Sequence, residues 1–185
     1  SSDAAANARR DGLTLLQKAR ALTANGDVPP AHTCQQCLWI SVFFDGTGNN
    51  RRADMPTLEH SNVARLWQAH IENPAVGLVP IYVPGIGTPF PEIGDDGKGP
   101  IPFIDLSKGM GARGQGRLDF AFERLALAVK EAEARAQNPT NKIVWIKLAV
   151  FGFSRGATLA RAFVRDLLDP KLGKTVQGNG DLQWK

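Results

Sequence analysis

The sequence predicts an α/β fold in which helices cover both faces of a mostly parallel β-sheet. Three apolar runs of strand length, over residues 37–44, 78–83 and 143–151, alternate with segments whose apolar residues recur at helical spacing. This alternation implies right-handed crossovers and therefore parallel strands in one sheet. With 185 residues, 43% of them hydrophobic, the chain is long enough to bury one core.

The first 30 residues are predicted to form a helical segment of their own. An amphipathic helix over residues 4–22 has apolar side chains on one side, at Leu15, Leu16, Ala19 and Leu22. Asn25-Gly26-Asp27 and Pro29-Pro30 then end this helix. Residues 31–185 are therefore expected to hold the α/β domain.

The first strand, residues 37–44, stops at a polar, glycine-rich loop that reads D-G-T-G-N-N at 45–50. Parallel sheets place their chemistry in loops at the carboxyl ends of strands, so this loop is a candidate part of a site. Ser61 can then cap a helix that closes at Asn73-Pro74. The second strand contains Pro80, which removes one ladder N–H and favours an irregular or start-of-strand position.

Residues 84–116 are dense in glycine and proline and form a candidate lid or substrate-facing loop. Within them, residues 109–114 match the dinucleotide-binding pattern G-x-G-x-x-G. No convincing strand runs into this pattern, and the acids about 20 residues on, Glu131 and Glu133, lie within a predicted helix. We therefore reject nucleotide binding. The helix is predicted to run from Arg117 to about Ala136.

The strand over residues 143–151, predicted to be central, leads directly into G-F-S-R-G at 152–156, and an apolar-periodic helix follows. A serine on so tight a strand-to-helix turn needs flanking positions without side chains, which Gly152 and Gly156 supply. The pattern is short enough to occur by chance in turns, but its place between a strand and a helix is typical of a nucleophile elbow. The sequence thus predicts an α/β-hydrolase-like fold with Ser154 as nucleophile.

Two backbone segments are predicted to form the oxyanion hole. The N–H of Arg155 opens the helix after the serine, where unpaired N–H groups favour a developing negative charge. Laid over an α/β-hydrolase, the three strands correspond to its third, fourth and fifth. The loop at 45–49 then occupies the position that supplies the second N–H, from Gly46 or Thr47.

A serine nucleophile needs a base, usually a histidine oriented by a carboxylate that precedes it in the chain. No histidine follows Ser154, and His32, His60 and His70 all come before it. Asp166 lies twelve residues along the helix, about 18 Å away at helical rise, which is too far to orient a base. The catalytic acid and base are therefore expected beyond residue 185, and the chain is expected to be a fragment of a larger enzyme.

Composition argues against several other classes of protein. The net charge is +4, but lysine and arginine do not cluster as nucleic-acid binding would require, so we expect only a weak preference for anionic surfaces such as phospholipid. No stretch approaches the roughly 20 apolar residues of a membrane span, and the first residues have no apolar signal core. Cys34 and Cys37 have no second ligand pair, so we expect no metal or other cofactor and read them as ordinary thiols or an adventitious bridge.

Four motifs in order carry a resemblance to a known family. They read F-F-D-G-T-G-N-N at 43–50, Y-V-P-G-I-G-T at 82–88, G-A-R-G-Q-G at 111–116 and G-F-S-R-G-A at 152–157. Together, over about residues 37–168, they resemble the catalytic domain of type VI secretion lipase effectors of the G-x-S-x-G subfamily. The resemblance implies that Ser154 is the nucleophile of a phospholipase, most simply of phospholipase A type. The family's aspartate and histidine have no matching positions in this chain.

The resemblance also implies a biological setting. The protein would be made in the cytoplasm without a signal peptide, pass through a spike component of the type VI machine, and act on phospholipid in the envelope of a competing bacterium. An immunity protein would neutralise it in the producing cell. Two alternatives stay open: a soluble serine esterase or peptidase on the same scaffold, and a non-catalytic interaction domain, which the missing histidine favours.

Overall fold

The computed structural model describes residues 36–98, 111–135 and 143–169. In these ranges, three strands and four helices follow one another in this order: β1 Gln36–Phe44, α1 Arg51–Asp54, α2 Asn62–Ala69, β2 Leu78–Val83, α3 Gly111–Arg135, β3 Ile143–Gly152 and α4 Arg155–Leu168. Short 3-10 turns at Pro74–Val76 and Pro91–Ile93 flank β2. The predicted helix over residues 4–22, together with His32 and Cys34, lies outside the described residues.

The three strands form a parallel sheet in the order β2-β1-β3, which confirms the predicted α/β class. Phe44, the last residue of β1, pairs with Val83 on one side and with Gly152 on the other, so the three strands end together. β1 is the middle strand of the described sheet. The prediction that β3 is central is therefore wrong for these residues, because β3 pairs only with β1 there.

Helices pack on both faces because neighbouring side chains of a strand point to opposite sides. Phe43 faces α2, in a cluster with Val63, Ala64 and Tyr82. Alternate residues of β1 face the larger core beneath α3 and α4, which includes Leu38, Ile40, Val42, Phe44, Leu118, Leu125, Leu159 and Phe163. Ser61 caps α2 as predicted, since its hydroxyl accepts from the Ala64 N–H at 3.1 Å.

The glycine-rich stretch before residue 117 differs from its prediction. α3 begins at Gly111, six residues before the predicted start at Arg117, so part of the candidate lid is helix. Residues 84–90 include the buried side chains of Ile86, Thr88 and Phe90 and are packed into the core. Glycine content alone predicted a longer irregular region, because it does not reveal how this segment packs in the folded protein.

Arg117 fixes the loop that follows β2. Its side chain is fully buried and donates five hydrogen bonds, at 2.7–3.1 Å, to backbone carbonyls and to one carboxylate. The acceptors are the carbonyls of Pro84, Gly85, Thr88 and Arg113 and the carboxylate of Asp95. The loop after β2 is thus held from inside the protein.

Candidate active site

Ser154 lies between the end of β3 and the first residue of α4, in a backbone conformation that non-glycine residues rarely adopt. Its φ and ψ are 54° and −127°, and its hydroxyl makes no capping hydrogen bond to the helix. The residue is exposed. A positive φ at a residue with a side chain costs about 1–3 kcal/mol and persists only where the surroundings enforce it. The strand, tight turn and helix predicted around Ser154 are therefore all present.

The two glycines that flank Ser154 are places where the chain passes too close to itself for a side chain. A Cβ at Gly152 would lie 2.6 Å from the Cα of Ala157 and from the carbonyl oxygen of Gly156. A Cβ at Gly156 would collide with the backbone carbonyls of Phe44 and Asp45 at the end of β1. The turn can therefore be this tight, and α4 can sit this close to β1, only with glycine at both positions.

The loop after β1 lies directly against this turn, as the register of the two strands requires. The Phe153 N–H donates to the Phe44 carbonyl at 3.2 Å, and the Arg155 side chain donates from Nε to Thr47 Oγ1 at 2.5 Å. A side chain at Gly46 would collide with the ring of Phe153. The structure thus brings together the two segments that the sequence singled out.

The backbone N–H groups of these segments differ in what they already bind. The Gly46 N–H donates to Asp45 Oδ1 at 2.7 Å. Among the described residues, no backbone carbonyl accepts from the N–H of Thr47 or of Arg155. Backbone carbonyls of the described residues thus leave the N–H groups of Thr47 and Arg155, like that of Ser154, without an acceptor.

A second glycine-containing loop, residues 84–88, supports the first. The Gly48 N–H donates to the Ile86 carbonyl at 3.0 Å, and the Gly85 N–H donates to the Asn49 carbonyl at 2.9 Å. Gly85 approaches the Gly46 carbonyl so closely that no Cβ fits between them. Because Arg117 fixes the loop at residues 84–88, Arg117 also helps to position the loop after β1.

Asp45 is a buried carboxylate whose role the sequence did not reveal. One oxygen accepts from the Gly46 N–H and from the Ser61 hydroxyl at 2.6 Å, and the other accepts from the Tyr82 hydroxyl at 2.5 Å. Burial, followed by the bond to Asp45, raises the pKa of Tyr82 well above its usual value. Asp45 therefore anchors its own loop to β2 and α2. An aspartate directly after a buried strand was the available signal.

The two described histidines differ in their surroundings. His70 lies edge-on to Phe43, its Nδ1 is 2.7 Å from the Ile71 carbonyl oxygen, and burial lowers its pKa. The Nδ1 of His60 is buried and has no partner among the described residues. Asp166, at the far end of α4, pairs with Arg165 at 2.6 Å.

Residues 36–98, 111–135 and 143–169 contain neither a candidate metal site nor a candidate membrane-spanning helix. In these ranges, no group of three or more histidine, cysteine, aspartate or glutamate residues could hold a metal ion. Cys37 is a free thiol whose pKa burial raises. No helix in the same ranges is both long and apolar enough to cross a membrane.

Comparison with known proteins gives the family. Residues 39–170 match the family model described as the catalytic domain of the Tle1-like phospholipase effectors of the type VI secretion system. The curated proteins contain no significant match. A crystal structure of an uncharacterized protein from Pseudomonas aeruginosa is similar over 80% of this chain, with 22% identity and a TM-score of 0.49, and the match spans 27% of that protein. From the family match, this chain belongs to the Tle1-like phospholipase effectors of the type VI secretion system.

Proposed function

We propose that this chain carries the nucleophile of a phospholipase that cleaves fatty acyl esters of membrane phospholipids, with activity of phospholipase A type. Ser154 is the nucleophile. The observation that carries the proposal is its positive φ of 54° on an exposed turn enforced by Gly152 and Gly156. Strained backbone conformations of this kind cluster at functional sites, and they persist only where the surrounding packing enforces them.

In the proposed reaction the Ser154 oxygen attacks the acyl carbonyl carbon, and a histidine takes the hydroxyl proton. The carbonyl oxygen then carries a negative charge, which the N–H groups of Arg155 and Thr47 stabilise. Gly46 is the weaker candidate for the second donor, because its N–H already binds Asp45. The tetrahedral intermediate then collapses and its ester C–O bond breaks, so that the lysophospholipid leaves as an alcohol that carries the proton from histidine. Water then hydrolyses the acyl-serine to free fatty acid and restores the serine hydroxyl.

The positions of the loops support an α/β-hydrolase-like assignment. Such a fold needs its second oxyanion donor on a strand beside the one that carries the nucleophile. Here β1 is paired with β3 throughout its length, and the two strands end at Phe44 and Gly152. The proposed acid and base, an aspartate and a histidine, come from the part of the protein that follows residue 185.

Membership of the family supports the biological part of the proposal. The protein acts as an antibacterial toxin, delivered by a type VI spike component into the envelope of a target cell. Its substrate is the phospholipid of the target membrane, and an immunity protein protects the producing cell.

The experiment that tests this function is acyl release from phospholipid vesicles by the full-length protein, compared with its Ser154→Ala variant. Thr158→Ala is the matched control, because it removes an exposed hydroxyl one turn along the same helix. We expect Ser154→Ala to abolish turnover while circular dichroism stays unchanged, and Thr158→Ala to retain it. Equal turnover in wild type and Ser154→Ala would refute the nucleophile. Turnover of short soluble esters but not of phospholipid would identify the protein as a soluble esterase. Turnover of neither substrate would favour a non-catalytic domain.

A further inference from the structure

A cavity of about 410 Å³ opens beside β2, an edge strand of the described sheet. It is lined by residues of the β1–α2 connection, β2, α2 and α3, among them Arg51, Trp67, Tyr82, Phe120 and Arg124. We call it the Arg51 cavity. None of the residues proposed for the reaction lines it, since Ser154, Arg155, Gly46 and Thr47 all lie elsewhere.

The Arg51 side chain stacks against two aromatic rings. No described carboxylate forms an ion pair with it, although Glu72 and Glu92 lie near enough to favour its charged form. Its guanidinium carbon lies 3.7 Å from the centroid of the Trp67 ring and 5.1 Å from that of Tyr82. The Arg51 N–H donates to the Tyr82 hydroxyl at 2.9 Å, which fixes the base of the side chain. A guanidinium stacked in this way is pre-organised, so little side-chain entropy is lost when it binds a ligand.

Within the described residues, the Arg51 guanidinium lacks a hydrogen-bonding partner. Its Nε is buried, and no described acceptor reaches it. Burial, and then the neighbouring charge of Arg52, lower the pKa of Arg51. A buried donor without an acceptor is costly, so an anion that enters the cavity would relieve this cost.

The other charges that line the cavity leave it positive. Arg52 is neutralised by Glu92, with Nη2 2.6 Å from Oε1. Arg124 adds a second cation that has no ion pair among the described side chains, and Glu72 is the remaining acid of the lining. Two guanidinium groups that form no ion pair with any described side chain, set against one exposed carboxylate, favour an anionic ligand with several acceptor oxygens.

We propose that the Arg51 cavity binds a phosphate group, with Arg51 and Arg124 as its cationic ligands. Phosphate fits because a planar guanidinium can donate two parallel hydrogen bonds to its oxygens, and because the aromatic rings exclude water on the other side. The phosphate comes either from a phospholipid headgroup or from a soluble phosphate compound. The headgroup source rests on the proposed function and would bring lipid to the edge of the sheet beside the residue 45–50 loop.

Direct binding in the absence of turnover tests the site. The full-length protein carrying Ser154→Ala is titrated calorimetrically with inorganic phosphate, with glycerophosphoglycerol, and with dihexanoylphosphatidylglycerol below its micelle concentration. Each titration is repeated with Arg51→Gln added. Arg65→Gln is the matched control, because it removes the same charge from an exposed position of α2 outside the cavity. Arg124→Gln serves as a second cavity variant, and thermal unfolding checks the fold of each.

We expect Arg51→Gln to weaken binding by about tenfold or more, since hydrogen bonds to charged groups are among the strong ones. Arg124→Gln should weaken it less, and Arg65→Gln by less than about twofold, as expected for screened surface charge. Tighter binding of the two glycerol-containing probes than of inorganic phosphate assigns the site to a headgroup, and equal binding assigns it to soluble phosphate. No binding, or equal loss with Arg51→Gln and Arg65→Gln, overturns the site. Because binding is measured with Ser154 already removed, the result is independent of whether the serine is the nucleophile.

Discussion

Arg155 donates from Nε to Thr47 Oγ1 at 2.5 Å, and this bond joins two parts of the chain that are 108 residues apart. Arg155 is the first residue of α4, and Thr47 lies in the loop that follows β1. The backbone N–H groups of the same two residues are the proposed oxyanion donors. Each donor is therefore positioned partly by the side chain of the other.

Replacing Thr47 with valine tests this link. The change preserves the branched shape and the backbone N–H but removes the hydroxyl that accepts from Arg155. We expect kcat for acyl release to fall by roughly tenfold to a hundredfold with little change in KM, because a misplaced donor weakens transition-state binding alone. Thr47→Ser, which keeps the hydroxyl, should recover most of kcat. Wild-type kcat in Thr47→Val would show that the side-chain bond does not position the donor.

The strained backbone at Ser154 predicts that a residue without this strain would stabilise the protein while abolishing its activity. Glycine adopts a φ of 54° without steric cost, whereas alanine retains the strain. We expect the free energy of unfolding of Ser154→Gly to exceed that of Ser154→Ala by about 1 kcal/mol. This figure allows for the greater conformational entropy of glycine in the unfolded chain. Both variants should be inactive. Urea unfolding of the two proteins measures the difference, and a less stable glycine variant would argue against strain at this position.

Much of the fold was predictable from sequence because apolar periodicity and turn residues determine it locally. The three strands, the Ser61 cap and the helix after Ser154 were all expected from such patterns. The start of α3 was not, because the glycines near Gly111 lower helix propensity while packing overrides it. The Asp45–Tyr82 bond also escaped prediction, since it joins residues 37 apart and neither belongs to a local motif that requires the other.

The buried bond between Tyr82 and Asp45 should contribute to stability. Tyr82→Phe preserves the ring but removes the hydroxyl that donates to the carboxylate and accepts from the Arg51 N–H. We expect the free energy of unfolding to fall by about 1–3 kcal/mol, because a buried carboxylate loses one of its donors. Denaturant unfolding at pH 7 measures this change. A variant as stable as wild type would mean that water or another group replaces the hydroxyl without cost.

The same bond predicts a dependence on alkaline pH. Burial and Asp45 raise the pKa of Tyr82 above its usual value of 10.0, so the folded protein keeps a proton that the unfolded chain loses. The contribution is complete below pH 10.0 and declines above it, by up to about 1.4 kcal/mol per pH unit. The stability difference between wild type and Tyr82→Phe should therefore narrow above that pH. A constant difference up to pH 11 would contradict the assignment.

Arg117 should be among the most sensitive positions for stability. Its single buried side chain donates five hydrogen bonds, to four backbone carbonyls and to one carboxylate. We expect Arg117→Met to cost about 3–5 kcal/mol, since it leaves the largely buried Asp95 without its closest cation. Arg117→Lys should recover little, because an ammonium group cannot span these acceptors. Arg113→Met is the control, as Arg113 lies 3.6 Å from Asp95 and should cost much less. Equal melting temperatures for Arg117→Lys and wild type would refute the geometric requirement.

Two helical glycines offer a matched comparison of close packing at the elbow. A Cβ at Gly156 would meet the backbone carbonyls of Phe44 and Asp45, which cannot move without disturbing β1. A Cβ at Gly116, within α3, would lie 3.3 Å from the terminal methyl of the Ile93 side chain, which can rotate away. We expect Gly156→Ala to cost about 3 kcal/mol and to lower kcat, because α4 and its first N–H must shift away from the sheet.

In the same comparison, Gly116→Ala should stabilise the protein by about 0.5 kcal/mol, because alanine favours a helix interior over glycine. It should leave kcat unchanged, since α3 contributes neither the proposed nucleophile nor a proposed oxyanion donor. Thermal unfolding and acyl release from vesicles, measured on both variants, separate the general effect of a helical glycine from the steric requirement at the elbow. Equal stability and equal kcat in the two variants would mean that α4 can move away from β1 without loss of stability. The close approach of α4 to β1 at Gly156 would then have no part in positioning Ser154.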